Sequence, residues 1–111
     1  MRVIASMRAE MKSGELHART AEQTGVDAIG VDQHTPMEFA MLCREGNQAV
    51  QGNLDPLLMA CDKQGALRQT EHILRTLGKV PAVFNVGHGF IPSTPIENVA
   101  AVSDLVKNWR R

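Results

Sequence analysis

The chain predicts an α/β fold built on a parallel sheet. Three observations carry that expectation. Short β-like runs alternate with longer amphipathic stretches, four times over 111 residues. Such alternation joins parallel strands through right-handed helical crossovers. Proline stands at the first helical position in Thr35-Pro36-Met37-Glu38, Asp55-Pro56 and Thr94-Pro95-Ile96-Glu97, where its missing N–H costs nothing. Glycine falls where helices should stop, at Gly25, Gly46 and Gly78.

The elements follow in order. Arg2 to Ser6 reads as the first strand, and Ser13 to Thr24 as a helix. Asp27 to Val31 is the second strand, and Pro36 to Glu45 the second helix. Thr35 and Glu38 have the spacing of a capping box around its start. Asn47 to Gln51 is a short third strand. Asp55 caps a helical turn at Pro56, and the third helix proper runs from Asp62 to Leu77. It keeps Leu67, Ile73, Leu74 and Leu77 on or near one face, with Arg68, Gln69, Glu71 and Arg75 outside. Pro81 to Asn85 is the fourth strand. A second capping box at Thr94 opens the last helix, Pro95 to Trp109, with Val99, Val102, Leu105 and Val106 at helical spacing. Met7, Met11, Met37, Met41 and Met59 are expected to fill core gaps. Trp109 is expected to be a partly packed terminal aromatic.

Composition narrows the function. A chain of 111 residues and 43% apolar content is one small domain, or part of one, with no internal boundary over 1–111. Twelve basic residues balance twelve acidic ones, which leaves no electrostatic footprint for nucleic acid or an anionic membrane. Aromatics are 4%, too few for a base-stacking surface. No stretch approaches the roughly 18 apolar residues of a membrane span, and the run Val3 to Ser6 is too short for a signal peptide. A soluble, cytoplasmic protein is expected. Cys43 and Cys61 are too few for a disulfide scaffold and are expected as buried thiols. None of His17, His34, His72 and His88 has zinc-type spacing to either cysteine, so no metal is expected. No Ser or Cys sits in a nucleophile elbow, and a Gly-rich phosphate loop is missing. Two architectures fit this pattern: a small open parallel sheet, or half of a closed (β/α)8 barrel, which typically needs about 250 residues.

In either architecture a ligand binds beyond the carboxyl ends of the strands. The residues there are Met7, Arg8 and Glu10; Asp32, Gln33 and His34; Gly52, Asn53 and Asp55; and Asn85, Gly87, His88 and Gly89. Gly87-His88-Gly89 is the most suggestive, because flanking glycines let the backbone turn sharply and a ligand come close. A histidine there can donate to a bound anion or exchange a proton with it near neutral pH; a loop histidine bonded to a nearby carbonyl fits the spacing equally well. Asp32 and Asp55 could serve as an acid/base pair only if they converged. Asp55 reads better as a helix cap, Asp32 as a hydrogen-bonding loop residue, and Asn53 as a residue bonded to its local backbone.

Several of these segments also resemble a known family. Phe84-Asn85-Val86-Gly87-His88-Gly89-Phe90 resembles the FNLGHG segment near the carboxyl end of uroporphyrinogen decarboxylases. Pro92 to Val99 is similar to that family's P-x-T-P-x-E-N-V, Gln51 to Pro56 to its QGNLDP, and Thr24 to Asp32 to its TGADVIGLD strand. The blocks keep their order and spacing over about residues 20 to 106. The resemblance implies a (β/α)8 barrel, of which this chain would be the carboxyl-terminal half, four βα units. It implies a cofactor-independent reaction: removal of four acetate carboxyl groups from uroporphyrinogen, with a protonated pyrrole ring as electron sink. It implies a tetrapyrrole substrate, and His88 as the one substrate-binding residue that carries over. The catalytic aspartate and the arginines of the family lie in its amino-terminal half, so no catalytic residue is expected in this chain. The chain alone is expected to be inactive, and to pair either with that half or with another copy as a homodimer. Gln33 stands where the family commonly has tryptophan, and Ile96 where it has proline. Met7-Arg8-Ala9-Glu10 departs from the family's basic-Gly pattern, and Arg8 takes no role. Corrinoid-linked methyltransferases of the same superfamily carry a cysteine ligand set that has no counterpart at these strand ends.

Overall fold

Four strands lie side by side in the order of the chain, all parallel: β1 (Ile4–Met7), β2 (Ala28–Val31), β3 (Ala49–Leu54) and β4 (Ala82–Val86). The computed structural model describes the backbone of residues 4–7, and residues 27–42 and 48–110. The predicted helix Ser13 to Thr24, the helix stops at Gly25 and Gly46, and Arg8, Glu10, Met11, His17 and Cys43 lie outside the described residues. Register is continuous across the sheet. Met7 pairs with Val31, Gly30 with Gln51, and Leu54 with Val86.

The helices are α1 (Met37–Leu42), α2 (Pro56–Cys61), α3 (Lys63–Leu77) and α4 (Ile96–Lys107). A strand order that never reverses, with right-handed crossovers, sets crossover helices on one face of the sheet, and the described helices share one core with the strands. The core fills the space between. Val31, Val50 and Leu54 from the strands meet Met37 and Ala40 of α1, Met59 of α2, Ala66, Ile73 and Leu77 of α3, and Val102 of α4. Met37 and Met59 are buried and Met41 packs beside them, which is the gap-filling role expected. Trp109 lies just past the end of α4, half-buried, with the Arg75 guanidinium 5.6 Å from its ring centre.

Several local expectations change. β3 runs on to Leu54, three residues past its predicted end, because the ladder to β4 carries Gly52, Asn53 and Leu54; turn-forming residues yield to pairing. The Gly52–Asn53 peptide bond is cis. Asp55 caps α2 as expected, accepting the Leu57 N–H at 2.9 Å. Asp62 does the same for α3 through Gly65 at 3.0 Å. The two capping boxes do not form as drawn. The Thr35 N–H and hydroxyl both go back to Asp32, while the Glu38 carboxylate takes its own N–H and reaches His72. The Thr94 hydroxyl donates to the Ile91 carbonyl at 2.6 Å, and Pro95 caps α4 without a side-chain bond. In each case the hydroxyl finds a nearer acceptor in its own loop. Cys61 is exposed rather than buried, because it ends α2 where the chain turns through Asp62 into α3. Gln69 is not an outward residue: its Oε1 accepts the Asp55 N–H at 3.4 Å.

Candidate functional site

The carboxyl ends of β2, β3 and β4 deliver three loops to one edge of the sheet. After β2, Asp32 folds the chain into a tight turn. Its Oδ1 accepts the His34 N–H at 3.1 Å and the Thr35 hydroxyl at 2.8 Å. Asp32 is 7% exposed and Thr35 is buried, so this turn is a fixed wall. Gln33 is half-buried and His34 is exposed.

β3 supplies Asn53, which is buried at the end of the strand. Its Nδ2 donates to the Asp32 carbonyl at 3.2 Å and to the Thr35 carbonyl. The bonds therefore reach across to the β2–α1 loop and not to the local backbone, as the sequence had suggested. The two carboxylates do not act as a pair: Asp55 caps α2, and Asp32 serves its own turn.

After β4 comes Gly87-His88-Gly89. The Gly87 N–H extends the ladder by one bond, to the Leu54 carbonyl at 2.8 Å. Gly87 also lies against the β2–α1 loop. A Cβ there would stand 2.2 Å from the Gln33 nitrogen and 2.7 Å from the Asp32 carbonyl carbon. Only glycine fits that approach. His88 follows directly and is exposed. The turn thus mounts an accessible imidazole on a backbone gripped from two sides.

Two hollows flank the loops. One, about 250 Å³, is polar and lies between the Gln33–Glu38 segment, Asn53, Gln69 and His72. At its rim Glu38 Oε1 meets His72 Nε2 at 2.5 Å, joining α1 to α3. The Glu38 carboxyl is held below its usual 4.5, first by its own backbone N–H, against some opposing burial, and then by the bond and charge of His72. The other, about 320 Å³, is apolar and lies between β4, Met59 and α4, with Phe90 beside it. Among the described residues no three His, Cys, Asp or Glu side chains gather as a metal ion would require. No described helix is long and apolar enough to cross a membrane.

The sequence singled out His88 and its glycines, and the structure sets them at the strand-end edge. It did not anticipate the contact of Gln33 with Gly87, the reach of Asn53, or the turn of Gln69 inward. A signal for Asn53 existed: an amide in the last paired positions of a parallel strand, beside a glycine, has two donors that the ladder does not use.

The family model described as uroporphyrinogen decarboxylase (URO-D) matches residues 9–109. The uroporphyrinogen decarboxylase of Wolbachia sp. subsp. Brugia malayi (strain TRS) is 42% identical over 97 residues, 86% of this chain and 27% of the relative. That of Wolbachia pipientis wMel is 40% identical over 97 residues, 87% of this chain and 28% of the relative. That of Brucella ovis is 44% identical over 98 residues, 88% of this chain and 28% of the relative. The chain therefore spans little more than a quarter of the length of these curated relatives. With the family model covering nearly all of its residues, the chain belongs to the uroporphyrinogen decarboxylase family.

Proposed function

We propose that this chain is the carboxyl-terminal half of a (β/α)8 barrel, a single partial domain over 1–111, and that it supplies the His88 side of a uroporphyrinogen decarboxylase site. The observation that carries this is the Gly87-His88-Gly89 turn, which presents an exposed imidazole at the strand-end edge of an unreversed parallel sheet. Barrel enzymes bind their substrates at that edge. Strand order supports the barrel as well. A doubly wound sheet reverses its order at a switch point, whereas β1 to β4 run in sequence.

On this reading the imidazole hydrogen-bonds a polar group of the tetrapyrrole. The proton donor and the cations that hold the substrate carboxylates come from the amino-terminal half. That half, or a second copy of the chain, also covers the open face of β4. The setting is the cytoplasm.

The test is turnover of uroporphyrinogen followed by chromatography of the oxidised products. The 111-residue chain alone should give no coproporphyrin. The chain co-expressed with the preceding segment of a Brucella relative should give it, and His88→Ala in that assembly should raise KM. Turnover by the chain alone, or an unchanged KM in His88→Ala, would overturn the reading.

A further inference from the structure

Asn53 is 3% exposed and stands opposite Asn85 in the β3–β4 register. Both of its described bonds leave from one atom, Nδ2, and both end on carbonyls of the β2–α1 loop, those of Asp32 and Thr35. Two carbonyl partners fix which end of the amide carries the nitrogen. Its Oδ1 is then left buried with no hydrogen-bond partner among the described residues. A buried unpaired acceptor is destabilising, so stability alone does not account for the amide. What an apolar residue could not provide there is the pair of donors.

Those donors tie together the two walls that hold the histidine turn. One wall is β3, whose Leu54 carbonyl accepts the Gly87 N–H. The other is the loop, whose Gln33 nitrogen and Asp32 carbonyl carbon leave no room for a Cβ on Gly87. Asn53 belongs to the first wall and bonds the second. From this we infer that Asn53 is a positioning residue: by locking the β2–α1 loop onto β3 it sets the slot in which Gly87 lies, and so the place of the His88 imidazole. Its effect on substrate rests on the reading of His88 as a substrate contact; its effect on the turn does not.

The experiment separates these. In the isotopically labelled 111-residue chain, Asn53→Ala and Asn53→Asp should both shift the Gly87 and His88 backbone amide resonances. Asn53→Asp keeps the shape and removes the donors. Asn98→Ala is the control: it deletes another buried amide, one that donates to the Met59 carbonyl at 2.9 Å and not to the β2–α1 loop. It should leave Gly87 and His88 in place. If the Asn53 variants do not fold, the same contact is probed from its other side. Gly87→Ala should move the Asn53 side-chain amide resonances, and Gly89→Ala, whose Cβ meets nothing within 4 Å, should not. Unmoved Gly87 and His88 resonances in a folded Asn53 variant, or equal responses to the two glycine substitutions, would overturn the inference.

In the assembled decarboxylase, Asn53→Ala should raise KM for uroporphyrinogen with kcat changed little, and should add nothing once His88 is already alanine. An Asn53→Ala effect that persists in the His88→Ala background would overturn the route through His88. If His88→Ala itself leaves KM unchanged, the substrate reading falls while the resonance shifts still decide the role of Asn53.

Discussion

Along β3, Val50 and Leu54 are 2% and 0% exposed, and Gln51 and Asn53 between them are half-buried and buried. Along β4, Ala82, Phe84 and Val86 reach only half-burial, and Val83 is 50% exposed. The helices that follow repeat the contrast. α3 buries Ile73, Leu74 and Leu77, and packs against α1, α2 and α4. α4 buries Val102 but leaves Val99, Leu105 and Val106 half-covered. Hydrophobicity does not explain this, since AVFNV is at least as apolar as AVQGNL. Position does. Among the described residues β3 is paired on both sides, while β4 is paired only with β3. Among the described residues five large apolar side chains are exposed: Val83, Phe90 and Ile96 fall on or after β4, while Phe39 on α1 and Leu57 on α2 stand singly before it. The β4 edge is where the proposed barrel continues.

The strongest challenge to this contrast is a matched pair of truncations. Ile73→Ala on α3 removes a side chain that is 1% exposed and should cost about 2–5 kcal/mol. Val106→Ala on the half-covered face of α4 should cost less than about 1.5 kcal/mol, because water already reaches the site. Urea midpoints of the 111-residue chain measure both. Similar losses would mean that α4 is as enclosed as α3.

A smaller effect comes from glycine. At Gly52 in β3, φ is +136° and a Cβ would meet the Val31 carbonyl oxygen at 2.2 Å. Gly52→Ala should therefore cost on the order of 2–3 kcal/mol, from backbone strain and overlap together. Gly89→Ala, beyond β4, adds its methyl to open space and should stay within about 0.5 kcal/mol. A mild Gly52→Ala would show that β2 and β3 can part at little cost.

The same contrast separates what could be read in the sequence from what could not. Proline, cap and glycine signals placed α2, α3 and α4, because these act within a few residues of themselves. The α3 face was legible in Ile73, Leu74 and Leu77, because helical periodicity is local too. Asn53 and the end of β3 were not. Glycine and asparagine favour turns in isolation, and only pairing with β4, about thirty residues on, makes them strand. Thr35 and Thr94 fail as capping boxes for a related reason: each hydroxyl had a competing acceptor three residues back, at Asp32 and Ile91. Gly87-His88-Gly89 was legible as a turn. That Gly87 must be glycine became clear only from Gln33, which arrives from a different strand.

The smallest expected effect asks whether a polar contact, rather than the core, holds α3 to α1. Glu38 and His72 meet across that boundary with both side chains more than half exposed. Exposed ion pairs contribute little, so Glu38→Gln should cost no more than about 0.5 kcal/mol. The sign with pH follows from the folded carboxyl being held below 4.5. A depressed carboxyl stabilises the fold at pH above its unfolded value, and that contribution is lost as pH falls through the folded value. The difference in urea midpoint between wild type and Glu38→Gln should thus shrink as pH falls below about 4.5. It should also shrink in 1 M salt, which screens exposed charges. A loss as large as that of Ile73→Ala, unmoved by salt, would make the α1–α3 contact a clamp in its own right. The enclosed half of the molecule would then owe its order to a surface pair as much as to the buried face of α3.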